Sequence, residues 1–78
     1  MHDIAVALGQ HVRRLRKQRG LSQEQLAHLA RLDRSYMSRI ERGLVSITID
    51  KLYNLAGALH CAPADLLPPS PSQDPSSA

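Results

Sequence analysis

Between Arg34 and Arg42 the chain reads Arg-Ser-Tyr-Met-Ser-Arg-Ile-Glu-Arg, a run rich in hydrogen-bond donors. Arg34 and Arg39 each carry a planar fork of N–H groups that fits the O6 and N7 edge of guanine, a contact worth roughly 1–3 kcal/mol of discrimination. Ser35 and Ser38 contact base edges less selectively. Tyr36 offers a hydroxyl for a phosphate and a ring for a thymine methyl or the preceding helix, with partial core packing as the alternative. Arg42 suits a phosphate better than a base. No other constellation competes. His60 and Cys61 are adjacent, and His2, His11 and His28 show no CxxC or HxxxH arrangement, so no metal site is expected. There is no GxSxG, no Gly-rich phosphate loop and no base beside Cys61. The chain is therefore read as neither an enzyme nor a cofactor binder.

For these donors to act together they must share one face of a helix. Met37 and Ile40 supply the opposite, inward face, Asp33 can cap the start and Gly43 can stop the end, which predicts a helix over about Arg34 to Arg42. Before it, Ser22 caps a helix over about Ser22 to Ala30, with Leu26, Ala27, Leu29 and Ala30 at helical spacing. Arg31-Leu32-Asp33 breaks the pattern between the two. Upstream, Ile4, Leu8, Val12 and Leu15 make an apolar stripe along a helix over about Ile4 to Gln18, with Asp3 as a cap and Gly20 as the stop. Downstream, Thr48 caps a helix from about Ile49 to Leu59, whose inward stripe is Ile49, Leu52, Leu55, Ala56 and Leu59, with Tyr53 beside it. A short fifth helix follows, with Pro63 in its first turn, apolar Leu66 and Leu67, and Ala62 as a poor cap. Leu44, Val45, Ile47 and Ile49 are too many apolar residues for a small domain to bury together. Their alternation looks strand-like but has no partner strand.

At 78 residues there is room for one domain, assigned to 1–67, which buries roughly 60% of its unfolded surface. Its core must be made of Leu, Ile, Val, Ala and Met, because Phe and Trp are absent. From Pro68 to Ala78 the Pro/Ser-rich tail has nothing to bury and is expected to be disordered. The formal charge of +3 hides an asymmetry: from Arg13 to Arg42 nine basic residues face three acidic ones, net +6, and the remainder carries −3. A basic face on a small domain is the usual electrostatic footprint of a nucleic-acid binder, and a solvated helix surface is the plainer explanation. The single Cys61 rules out an intramolecular disulfide and suggests a reducing compartment. With no apolar run near 20 residues and no secretory signal pattern, a cytoplasmic location is expected.

The segment Leu21 to Gly43 resembles the helix-turn-helix of the lambda-repressor-like (Cro/cI-type) DNA-binding family. The match lies in Gln23 at the start of the first helix, small Ala27 where the helices cross, and Ile40-Glu41-Arg42-Gly43 at the end. It extends from about Leu8 to Leu67. The resemblance implies a compact, all-α, five-helix domain acting as a transcriptional regulator. A homodimer would bind a pseudo-palindromic operator, with the helix of Arg34 in the major groove and half-sites about one helical turn apart. It further implies that Gln23, beside Ser22, holds a phosphate and braces the reading helix. Arg16 would pair with Glu41, partly buried, and still lie near a phosphate. The family usually has Gly where this chain has Arg31, since a non-glycine residue at positive φ costs about 1 kcal/mol. Ser46 is a phosphate candidate, and Ile47, Tyr53 and Leu66 are candidates for the dimer interface. The small stand-alone form is similar to restriction–modification controller proteins, whose equivalents of Asp33 to Gly43 look much like these. Phage-type repressors and antitoxins share the architecture. The partners implied are double-stranded DNA and a second copy, with neither cofactor nor membrane. A helical adaptor that binds a protein partner is the reading from another class.

Overall fold

The computed structural model describes residues 4–68, so Asp3 as a cap and the tail from residue 69 lie outside the described residues. Four α-helices form between local start and stop signals: α1 Ile4–Gln18, α2 Gln23–Ala30, α3 Arg34–Glu41 and α4 Ile49–Leu59. Ser22 opens α2 with a reciprocal capping box. Its hydroxyl accepts from the Gln25 N–H at 3.0 Å, and Gln25 Oε1 accepts from the Ser22 N–H at 2.8 Å. Thr48 opens α4 by accepting from the Lys51 N–H at 3.2 Å. Asp33 stands at the start of α3 without a full side-chain capping bond. Its carboxylate accepts from the Ser35 hydroxyl instead, and that bond is the main cause holding its pKa below the ordinary carboxylate value.

All four helices end alike. One residue turns left-handed, and the N–H after it folds back to a carbonyl in the last turn, satisfying groups the helix leaves unpaired. The left-handed residues are Gly20, Arg31, Gly43 and His60, at φ of 70°, 61°, 74° and 57°. The returning bonds run from Leu21 to Arg16, Leu32 to Ala27, Leu44 to Arg39 and Cys61 to Ala56, at 2.8–3.0 Å. Arg31 thus adopts the conformation that favours glycine, and His60 does the same, at about 1 kcal/mol or somewhat more each.

The expected fifth helix is a correction. Pro63–Leu66 is a single 3-10 turn, closed by bonds from the Asp65 N–H to Ala62 O at 2.9 Å and from the Leu67 N–H to Ala64 O at 3.2 Å. Four residues cannot complete an α-helical ladder, Pro63 brings no N–H, and Pro68 and Pro69 follow directly. Ala62 offers no capping side chain, but Asp65 Oδ2 reaches back and accepts its N–H at 3.0 Å. Among the described residues the apolar run after Gly43 forms no strand.

The core lies where α1 packs on α3 and on the 3-10 turn, and where α2 packs on α3 and α4. Leu8 and Val12 enter from α1, Leu26, Ala27 and Ala30 from α2, Met37 and Ile40 from α3, Leu55, Ala56 and Leu59 from α4, and Leu66 from the final turn. Three apolar residues assigned by spacing stay out: Ile4, Leu29 and Ile49 are 60%, 54% and 71% exposed. Ile4 and Ile49 are the first residues of α1 and α4 and line one open groove.

Two glycines let the chain pack closely. A Cβ on Gly9 would stand 2.3 Å from the Ile40 carbonyl oxygen and 2.7 Å from that of Glu41, so α1 meets the end of α3 backbone to backbone. Gly43 combines its positive φ with a close approach to Val6, whose Cα would lie 2.8 Å from an added Cβ. Gly9→Ala is expected to lower the unfolding free energy in urea by about 1–3 kcal/mol, the usual range for overpacking. Arg31→Gly should raise it by up to about 1 kcal/mol, since it relieves a left-handed non-glycine residue but loosens the unfolded chain. An unaffected midpoint for Gly9→Ala would contradict the contact between α1 and α3.

Candidate nucleic-acid interface

The orientation of α3 is set from its C-terminal end. Glu41, 9% exposed, receives Arg16 Nε on Oε2 at 2.5 Å and Arg16 Nη2 on Oε1 at 3.0 Å. Arg16 Nη1 donates to Leu21 O at 2.9 Å, and Gln23 Nε2 donates to Glu41 Oε1 at 3.1 Å. One carboxylate therefore ties the end of α3 to α1 and to the first residue of α2. The two-pronged arginine–carboxylate geometry is directional as well as charge-assisted. Arg16 is buried, and three of its five N–H groups donate within this network. Gln23, half-buried, holds Glu41 with one amide hydrogen.

With Met37 and Ile40 buried on one side of α3, Ser35, Ser38 and Arg39 fall on the outer arc, and Arg34 stands at its edge, in line with Glu41 two turns on. Arg34, Ser35 and Arg39 are exposed and Ser38 is half-buried. The helix is eight residues long, about 12 Å at 1.5 Å per residue, and the B-DNA major groove admits such an element. Tyr36 is half-buried and packs on the core, with Arg39 Cζ 5.6 Å from its ring centroid. Ser22 is exposed at the start of α2, Arg42 is exposed at the end of α3, and Ser46 is exposed on the following loop. The structure brings Gln23 to Glu41 and Tyr36 to Arg39.

The basic tally of the sequence overstates the charge offered to a ligand. Arg19 is turned to the fold: its Nε donates to Leu59 O at 2.8 Å and its Nη2 to His60 O at 3.0 Å, closing the end of α4. That helix carries no basic residue in its own last turn. Arg13, Arg14, Lys17, Arg31, Arg34, Arg39 and Arg42 remain exposed. His11 Nδ1 lies 3.0 Å from Leu66 O, joining α1 to the 3-10 turn.

Among the described residues no three His, Cys, Asp or Glu side chains gather as a metal site would require. Burial, then the Asp65 charge, pushes the Cys61 thiol above its ordinary pKa, which disfavours the thiolate. No helix among the described residues is long and apolar enough to cross a membrane. A groove of about 430 Å³ opens between the starts of α1 and α4, lined among others by Ile4, Leu8, Ile47, Ile49, Leu52 and Leu67. Ile47 is half-buried there, and Tyr53 is 61% exposed on α4. Leu66, expected at a dimer interface, is a correction: it is 0% exposed and fills its own chain's core, while neighbouring Leu67 is 41% exposed.

Residues 12–66 match the family model described as helix-turn-helix. The chain is 39% identical over 67 residues to the control protein C.BamHI of Bacillus amyloliquefaciens, covering 85% of this chain and 83% of that protein. The crystal structure of the restriction-modification controller protein C.AhdI from Aeromonas hydrophila superposes with a TM-score of 0.78 at 45% identity, covering 80% of this chain and 94% of that one. The master regulator for biofilm formation SinR, solved in complex with DNA, superposes with a TM-score of 0.73 at 33% identity, covering 76% and 95%.

Removing one partner of the buried pair should be far worse than removing both. Glu41→Ala is expected to cost about 3–5 kcal/mol in urea unfolding, because it strands a buried guanidinium, while Arg16→Met with Glu41→Leu should recover much of that loss. A Glu41→Ala loss below about 1 kcal/mol would contradict the buried clamp.

Proposed function

The chain belongs to the helix-turn-helix family, and from that membership we propose that it is a sequence-specific DNA-binding transcriptional regulator. The observation that carries this reading is the outer arc of α3. Arg34, Ser35, Ser38 and Arg39 stand outside the buried residues Met37, Ile40 and Glu41, which hold the helix to the core. In this proposal Arg34 and Arg39 read guanines in the major groove, and Ser35 and Ser38 refine the choice. Ser22, Gln23, Tyr36, Arg42 and Ser46 hold phosphates and set the register. The DNA-binding unit is residues 1–67, with 68–78 as a Pro/Ser-rich tail, and the place of action is the cytoplasm.

The dimer proposed for this unit is isologous and uses the apolar face around the groove, with Ile47, Ile49, Tyr53 and Leu67 as its contacts. Its support is the number of large apolar side chains left uncovered there. The relatives described as control and restriction-modification controller proteins favour a role in controlling restriction–modification genes.

Binding selection from randomised duplex DNA at physiological salt tests the reading. A two-fold-symmetric motif with half-sites about one helical turn apart is expected, and its occurrence upstream of restriction–modification genes would support the controller role. Recovery of no motif would overturn specific reading by this chain. Arg34→Glu with Arg39→Glu should abolish binding to the selected duplex while leaving the unfolding midpoint nearly unchanged, since both side chains are exposed. Ile49→Glu should shift the sedimentation equilibrium toward monomer, and an unshifted equilibrium would move the interface elsewhere.

A further inference from the structure

Tyr36 is one of two aromatic residues in the chain, and two cations from different helices meet at its ring. Arg39 Cζ, one turn along α3, lies 5.6 Å from the ring centroid, and Lys51 Nζ, from the first turn of α4, lies at the same distance. Both are within the range at which a cation is attracted by an aromatic quadrupole. The ring is itself held, because Tyr36 is half-buried and packs on the core. A held ring restricts a long, exposed arginine that would otherwise sample many rotamers.

The position of Lys51 is electrostatically odd. Its backbone N–H bonds the Thr48 cap, so its ammonium belongs to the N-terminal turn of an 11-residue helix. That end of a helix carries partial positive charge and favours an anion. Asp50 in the same turn is exposed. Two cations and a positive helix end therefore converge at the edge of the reading helix, and a bound anion would relieve their mutual repulsion.

We propose that Tyr36 is a positioning residue for sequence reading: its ring presets the Arg39 guanidinium for guanine and carries Lys51, outside the helix-turn-helix, to a phosphate of the same DNA site. This rests on the DNA-reading function proposed above. Tyr36 thereby acts on specificity through Arg39 and on affinity through Lys51. Its hydroxyl is not needed for the first of these.

The test compares binding to the selected duplex with binding to one in which the guanine read by Arg39 is replaced. Tyr36→Leu is expected to reduce that preference roughly two- to fivefold, the range for an exposed cation–aromatic contact, while Tyr36→Phe keeps it. Lys51→Met should weaken both duplexes alike and lower the slope of log affinity against log salt by about one, as for loss of one phosphate contact. In the DNA-free protein, ring-current shifts of the Arg39 Hδ and Lys51 Hε signals should persist in Tyr36→Phe and vanish in a folded Tyr36→Leu variant. Equal losses of preference in Tyr36→Phe and Tyr36→Leu would overturn the positioning role, as would an unchanged salt slope for Lys51→Met. A wild-type chain that selects no motif would overturn the regulator reading and this inference with it. A wild type with a clear preference that Tyr36→Leu leaves intact overturns this inference alone.

Discussion

Everything the outer face of α3 can do depends on one buried carboxylate. An eight-residue helix is too short to hold itself in water, and α3 opens without a full side-chain cap. Its direction is imposed from the other end, where Glu41 takes two hydrogen bonds from Arg16 and one from Gln23. A buried pair of this kind adds little net stability, because desolvation offsets its attraction. What it supplies is geometry. With Glu41 fixed, a rotation of α3 about its axis would break three hydrogen bonds and drag Met37 and Ile40 out of the core. A reading helix preset in this way has little ordering left to do when DNA arrives, which is where rigid interfaces gain affinity.

The same carboxylate joins the reading helix to the residue beside the α2 cap. Gln23 gives an amide hydrogen to Glu41, so the start of α2 and the pose of α3 are linked. Gly9 works on the same joint from below. By omitting a Cβ it lets α1 rest on the last carbonyls of α3, which brings Arg16, two turns further along α1, within reach of Glu41. A small domain without Phe or Trp thus reaches precision through close backbone contact and a directional ion pair, where a larger one would use bulk.

Helix positions were legible in the residues because their determinants are local. Ser22 and Thr48 are caps by side-chain chemistry, and Gly20 and Gly43 are stops by backbone freedom, so α1 and α4 fall on the expected spans. Depth was not legible. Periodicity says that Ile4, Ile49 and Leu66 face one way, but not how far the core extends, and the first two stay exposed while Leu66 is fully buried. Gly9 looks like a weak helix former until α3 is seen against it. Formal charge likewise cannot separate a cation aimed at solvent from one spent on carbonyls, which is the case of Arg19. The candidate base-reading residues follow from helical phase alone, whereas Lys51 belongs to another helix and joins them only through the fold.

The most direct measurement is an NMR titration of the isotope-labelled chain with a selected operator duplex. Perturbations should centre on residues 34–39, on Ser22 and Gln23 and on Ser46, with the Arg16 Hε resonance unmoved because the clamp on Glu41 is already formed. Perturbations centred instead on the exposed face of α2 around His28 and Leu29, or a large shift at Arg16, would contradict a preset α3 as the DNA-reading element.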